Sequence, residues 1–209
     1  MPAFDKTVTT EDELRALIGG APSKGAVAKD IASLDVHCRE FIARAPFLLL
    51  ATSNARGQCD VSPKGDAPGF VLVLDEHRLL IPDRPGNKRV DGMRNLLDNP
   101  HVGLIFLVPG VEETLRVNGR AWIVRDDELL ARCAVRDKVP PLGIGVEVEE
   151  AFIHCAKAFK RSGLWEPERW PDLAGLASPA QMLFDHTRAT GTVEQLDRWL
   201  QDGYRTRLY

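Results

Sequence analysis

Between residues 47 and 124 short apolar runs alternate with tight turns about every ten residues, a spacing that predicts an antiparallel meander of strands. Phe47–Thr52 is apolar throughout and is followed by the turn Asn54-Ala55-Arg56-Gly57. Gln58–Ser62 alternates as a half-buried strand does, and Pro63-Lys64-Gly65-Asp66 interrupts it. Gly69–Leu74 and Arg78–Pro82 flank a turn at Asp75–Glu76, and His101–Val108 and Glu113–Val124 flank Pro109–Gly110. Gly119 inside the last run marks a bulge or bend. The pattern predicts a mainly β fold with flanking helices, built on a six-stranded antiparallel barrel.

The helical periods lie at the ends and in one crossing. Thr9 or Thr10 caps a first helix with acidic Glu11, Asp12 and Glu13, an apolar stripe of Leu14, Leu17 and Ile18, and a stop at Gly19–Gly20. Val27, Ile31, Leu34, Cys38 and Phe41 or Ile42 predict a second over Val27–Arg44, ended by Pro46. Val90, Met93, Leu96 and Leu97 give another, closed by Asp98-Asn99-Pro100. Asp126–Asp127 start one that reaches Cys133, and Leu142–Val148 is short and β-prone. Phe152, Cys155, Ala156 and Phe159 predict a helix over Glu149–Lys160. Beyond Trp165 an irregular stretch leads to a last helix over Thr192–Asp202. With no linker or repeat in view, the expectation is one domain: N-terminal helices over 1–45, a barrel core over 46–165 and a helical extension over 166–209.

Composition narrows the function more than the fold. Of 209 residues 44% are hydrophobic and 27% charged, and 27 basic against 30 acidic side chains leave a net charge of −3. No global positive field therefore favours nucleic acid or an anionic membrane surface, and an anion site has to be a local cluster. Cys38, Cys59, Cys133 and Cys155 form no CxxC pair and no zinc-type spacing, so the expectation is reduced thiols, no metal and a cytoplasmic setting. The start Met1–Thr10 lacks the basic and apolar segments of a signal peptide, and no apolar run is long enough to span a bilayer.

Arg84-Pro85-Gly86-Asn87-Lys88-Arg89 is the strongest local cluster, three cations in one strand-to-helix loop. Unpaired N–H groups at a helix start, its partial positive charge and charged side chains together suit a phosphate. The loop is neither GxxxxGK[ST] nor GxGxxG, which removes the usual signs of ATP hydrolysis and of a Rossmann site. Val61-Ser62-Pro63-Lys64-Gly65-Asp66 is the second cluster: proline and glycine within a strand free ladder groups to bond something else, such as the polar edge of a ring. No nucleophile elbow or spaced acid–base pair supports a hydrolase.

Taken in order, Phe47-Leu-Leu-Leu-Ala-Thr-Ser, Val61-Ser-Pro-Lys-Gly-Asp, Leu80-Ile-Pro-Asp-Arg-Pro-Gly-Asn-Lys-Arg, Asn95-Leu-Leu-Asp-Asn-Pro-His-Val-Gly-Leu-Ile-Phe and Leu115-Arg-Val-Asn-Gly-Arg-Ala resemble the pyridoxamine 5′-phosphate oxidase-like, FMN-binding split-barrel superfamily. Within it the chain looks most like a bacterial branch of FMN-dependent enzymes, over about Phe41–Trp165. The resemblance implies a split β-barrel, a homodimer with FMN in a groove between subunits, and a small-molecule substrate. By position, Arg84, Lys88 and Arg89 look like phosphate ligands and Asn87 adds an amide. Val61, Ser62, Pro63 and Lys64 look like the strand lining the ring, with Lys64 near N1/O2, and Thr114 and Arg116 open a strand that sends polar groups to the cofactor.

The Arg-Leu-His-Asp-Arg-like run that holds flavin and substrate in the true oxidases is missing, which sets vitamin B6 oxidation aside. In its place, His154, Lys157 and Arg161 share a face of the helix expected over 149–160, with Trp165 beyond, as contacts to cofactor or substrate across the dimer. The expected function is an FMN-dependent oxidoreductase moving a hydride through flavin N5, with the catalytic residue unassigned. The alternative is a non-catalytic carrier or sensor of FMN, deazaflavin F420 or haem on the same barrel, with His154 the first haem ligand to consider.

Overall fold

The computed structural model describes residues 4–209, so the first three positions of the expected N-terminal segment and signal-peptide window lie outside the described residues. Seven strands form one antiparallel sheet: β1 Phe47–Ser53, β2 Cys59–Gly65, β3 Leu72–Val73, β4 Arg78–Pro82, β5 His101–Leu107, β6 Thr114–Val124 and β7 Gly143–His154. Their spatial order is β2-β1-β5-β6-β7-β4-β3, so the sheet curls without closing, and β2 and β3 are its edges. This is the mainly β fold with flanking helices that the sequence predicts, with seven strands in place of six.

The additional strand extends the β-prone segment Leu142–Val148 through the first half of the helix expected over Glu149–Lys160, of which only the end, from Lys157, is helical. Residues 143–154 run as one strand paired along the whole of β6, from Val124↔Gly143 to Thr114↔His154. The spacing of Phe152, Cys155 and Phe159 imitates a helical stripe, but a long neighbouring strand with an unfilled ladder decides the local conformation. A bulge between Asn118 and Gly119 leaves Glu149 unpaired, and a Cβ on Gly119 would lie 2.0 Å from the Glu147 carbonyl oxygen, so only glycine fits there.

The expected helix Val27–Arg44 is likewise divided, into α2 Lys24–Ala28 and α3 Val36–Arg44. Between them Ile31 exchanges backbone hydrogen bonds with Ala151, covering the edge of β7 beyond β4, and Asp35 restarts the helix by accepting from the Cys38 N–H at 2.8 Å. Ahead of them, α1 Glu11–Ile18 is capped by Thr10 and stopped by Gly19, yet Leu14, Leu17 and Ile18 of its stripe stay exposed.

The core lies inside the curl: Leu48 and Leu50 of β1, Leu104 and Phe106 of β5, Leu115 and Val117 of β6 and Ile144 and Val146 of β7 are all buried. One helix packs into it and another forms a cluster apart from it. The first, α4 Asp91–Asp98, buries Met93 and Leu96 and is pegged to β1 by Asn95 Nδ2 donating to Thr52 Oγ1 at 3.0 Å. The second, α5 Asp127–Ala131, starts at the Asp126 cap and packs Leu130 with Leu80 and Cys133 as a small second cluster. After β7 come α6 Lys157–Ser162, a 3-10 turn Pro167–Arg169, α7 Pro179–Thr187 and α8 Val193–Thr206. The helix α7 falls in the stretch expected to be irregular, although Ser178 as cap and Pro179 at the first helical position are an ordinary start signal.

A candidate cofactor groove between β2 and α4

On β2 the side chains opposite buried Leu48, Leu50 and Thr52 of β1 are Lys64, Ser62 and Asp60. The face that carries the core in the neighbouring strand is therefore polar here. An edge strand also has half its backbone N–H and C=O groups free of ladder bonds. Helix α4 approaches this face closely: a Cβ on Gly92 would stand 3.3 Å from Asp60 Oδ2 and 3.9 Å from Ser62 Oγ.

The two elements enclose a groove of about 240 Å³. Its floor is apolar, from Leu50, Met93 and Ile144, and its walls are Asp60 to Lys64 on one side and Asn87, Arg89 and Asp91 on the other. An apolar floor with polar walls suits a planar ring whose edge carries donors and acceptors.

The helix end is also prepared. Val90 precedes α4 in a left-handed conformation (φ 52°) and gives it no side-chain cap, and the first main-chain bond of the helix is Arg94 N–H to the Val90 carbonyl at 2.9 Å. The Asp91, Gly92 and Met93 amides thus lack helical partners at the positive end of the dipole. Asn87 Oδ1 accepts from the Arg89 N–H at 3.0 Å, which shapes the loop, while Arg89 Nε donates to Asp91 Oδ2 at 2.7 Å from a largely exposed side chain. Lys64 and Lys88 take part in none of the ion pairs among the described residues. Burial holds the Asp83 carboxyl above the ordinary range against the charges of Lys64 and Arg84.

Of the residues singled out in the sequence, Val61, Ser62, Pro63, Lys64, Asn87 and Arg89 come together in the groove. Lys88 sits on the adjoining turn at φ 60°, exposed and outside the lining. Arg84 points elsewhere: its guanidinium is mostly buried, donating to Asp66 Oδ2 at 2.6 Å and to the Cys133 carbonyl at 3.0 Å. Thr114 and Arg116 lie on β6, three strand steps from β2, which is roughly 14 Å. Arg116 stacks on Phe152 with its guanidinium carbon 5.0 Å from the ring centre.

His154 ends β7 and shares no helix with Lys157 and Arg161, which are exposed on α6. Trp165 is engaged in packing, its Nε1 donating to the Val111 carbonyl at 2.9 Å and its ring 5.6 Å from that of Phe159. Among the described residues no three His, Cys, Asp or Glu side chains are placed to hold a metal ion, and no helix is long and apolar enough to cross a membrane. Asp60, Asp91 and Gly92 are groove residues that the sequence reading passed over. The signal for Asp60 was its two-residue phase with Ser62 and Lys64.

The donor set fits a phosphate-bearing flavin in its main lines: uncapped amides and cations at the loop end, a free strand edge and an apolar floor at the ring end. Asp60 and Asp91 are the opposing features, since an anion at the loop end has to compete with Asp91 for Arg89.

Comparison with solved structures finds several similar folds. A variant of HupZ from Group A Streptococcus is 19% identical over 58% of this chain and 99% of its own, with a TM-score of 0.46. HutZ, the heme storage protein from Vibrio cholerae, is 20% identical over 57% and 94%, with a TM-score of 0.40. An FMN-binding protein from Syntrophomonas wolfei is 11% identical over 56% and 88%, with a TM-score of 0.43. Comparison with curated proteins returns no match. The family model described as pyridoxamine 5′-phosphate oxidase matches residues 34–154, more than half of the chain and the whole stretch from α3 to the end of β7, and the chain therefore belongs to the pyridoxamine 5′-phosphate oxidase family.

Proposed function

We propose that the chain is an FMN-dependent oxidoreductase acting on a small molecule as a homodimer in the cytoplasm. The observation that carries this reading is the polar, core-facing row Asp60, Ser62 and Lys64 on an edge strand, set across an apolar floor from an uncapped helix end. Polar side chains in core-facing positions forgo burial energy, and a ligand with a polar rim restores it. FMN, when bound, supplies hydride chemistry at N5. The chain's own part is to bind, orient and tune. Asn87, Lys88, Arg89 and the first amides of α4 hold the phosphate, while Ser62 and the β2 backbone address the ring edge. Lys64 places a positive charge where negative charge gathers on reduction.

The outward sheet face supports the dimer. Register aligns Pro63, Leu49, Ile105, Arg116 and Phe152 in one row across five strands, and Val61, Ala51, Gly103, Asn118 and Glu150 in the next. Val61 is 60% exposed in the single chain. A largely apolar face of this kind calls for a partner, and the same face of a second copy brings its Arg116 toward the groove, while Thr114 is buried within its own chain. Four free cysteines suit a reducing compartment.

Titration of the purified protein with FMN, read by flavin fluorescence and the visible spectrum, is expected to saturate. Absence of saturation with FMN, or preferential binding of F420 or haem, ends the FMN assignment. Stopped-flow mixing with NADH and NADPH then tests catalysis. A loaded protein that neither donor nor reduced deazaflavin reduces is a carrier or sensor.

A further inference from the structure

We propose that Tyr209 is a positioning residue for the phosphate end of the groove, bracing the Asp66–Arg84 pair on which the basic loop is mounted; the inference rests on the flavin reading above and deepens it. Asp66 immediately follows β2, and its side chain is only 2% exposed. Its two oxygens have different partners. Oδ2 accepts from Arg84 Nε at 2.6 Å, and Oδ1 accepts from the Tyr209 hydroxyl at 2.5 Å and from the Ala67 N–H at 2.7 Å. Tyr209 is itself held on three sides. Lys138 Nζ donates to its carbonyl at 2.7 Å, and the guanidinium carbons of Arg84 and Arg136 lie 6.0 and 5.0 Å from its ring centre. One buried carboxylate thus joins the end of β2, the start of the basic loop, the turn after α5 and the segment after α8.

The loop needs such a brace. Residues 85–90 are all exposed, so burial does not fix them. Within them Lys88 and Val90 hold φ values of 60° and 52°, left-handed conformations that non-glycine residues keep only when their surroundings impose them. The constraint comes from the two ends, α4 on one side and Arg84 on the other. A carboxylate that loses a charge-assisted hydrogen bond in a nearly dry setting lets its arginine move, and the strained turn relaxes with it. The backbone amides and cations from Asn87 to Arg89 then lose their common aim, while the ring wall on β2, fixed by its ladder with β1, keeps its shape.

Tyr209→Phe tests this, because it keeps the ring and its cation contacts and removes only the hydroxyl. The expected result is an FMN dissociation constant raised about three- to tenfold, with that of riboflavin, which lacks the phosphate, unchanged. In ligand-free protein, hydrogen exchange of the Arg89 amide, whose N–H is held by Asn87, is expected to quicken while that of β1 and β5 is not. Equal losses for FMN and riboflavin, or unchanged exchange in the loop, overturn the proposal. Wild-type protein that binds no FMN removes the flavin reading, and the exchange comparison then decides by itself whether Tyr209 braces the loop.

Discussion

Asp66 shows what a single side chain decides here. Burial pushes its carboxyl up, but the hydroxyl of Tyr209, the Ala67 amide and Arg84 together outweigh burial and hold it below the ordinary carboxylate value. A depressed pKa stabilises the fold at every pH above the unfolded value, and that contribution disappears as the pH falls through the folded value. Chemical denaturation of wild type and Asp66→Asn should therefore differ clearly at pH 7, and the gap should narrow below about pH 4. Arg84→Ala is expected to act on stability first, costing about 3 kcal/mol or more by leaving a buried charge unpaired, read as a lower Tm. This residue was the least legible part of the site. Its charge and its place in the loop pointed to phosphate, but its partners stand 18, 49 and 125 positions away, and no local pattern announces them. Gly119 was legible, since glycine within a strand pattern has few other reasons. Gly119→Ala should cost about 3 kcal/mol, because its methyl group meets backbone that cannot yield easily.

At the scale of elements, alternation read most of the strands correctly and periodicity misread two segments. Ile31 sits at a helical step from Val27 and Leu34, yet it bridges to Ala151 because the β7 edge beyond β4 needs covering. Residues 149–154 carry a false helical stripe for the reason already given, and with it went the supposed common face of His154, Lys157 and Arg161. The β2 groove was half legible. Val61 to Lys64 could be read from the broken strand, whereas the other wall depends on how closely α4 approaches, which Gly92 controls without advertising it. Since the loop end belongs to that helix, Lys88→Ala with Arg89→Ala should weaken FMN at least tenfold and riboflavin little, as measured by parallel fluorescence titrations.

For the molecule as a whole, the outward rows of Leu49, Ile105 and Phe152 make association the expected state, and Ile105→Asp should shift sedimentation toward the monomer. If the partner completes the groove, the same variant also loses FMN. The sequence made the family legible because its motifs recur in a fixed order along one sheet, while the helices at either end carried no comparable order. The unpaired Glu149 has a consequence for both faces at once. Before it, even-numbered positions of β7 (Ile144, Val146 and Val148) are buried; after it the buried position is odd, Ala151. One inserted residue is thus a change of phase written into the chain. Were Glu149 drawn into the ladder instead, the alternation begun at Ile144 would send Phe152 and His154 into the core and Ala151 out onto the face we assign to the partner, whereas deleting it would keep Val148 and Ala151 both inward.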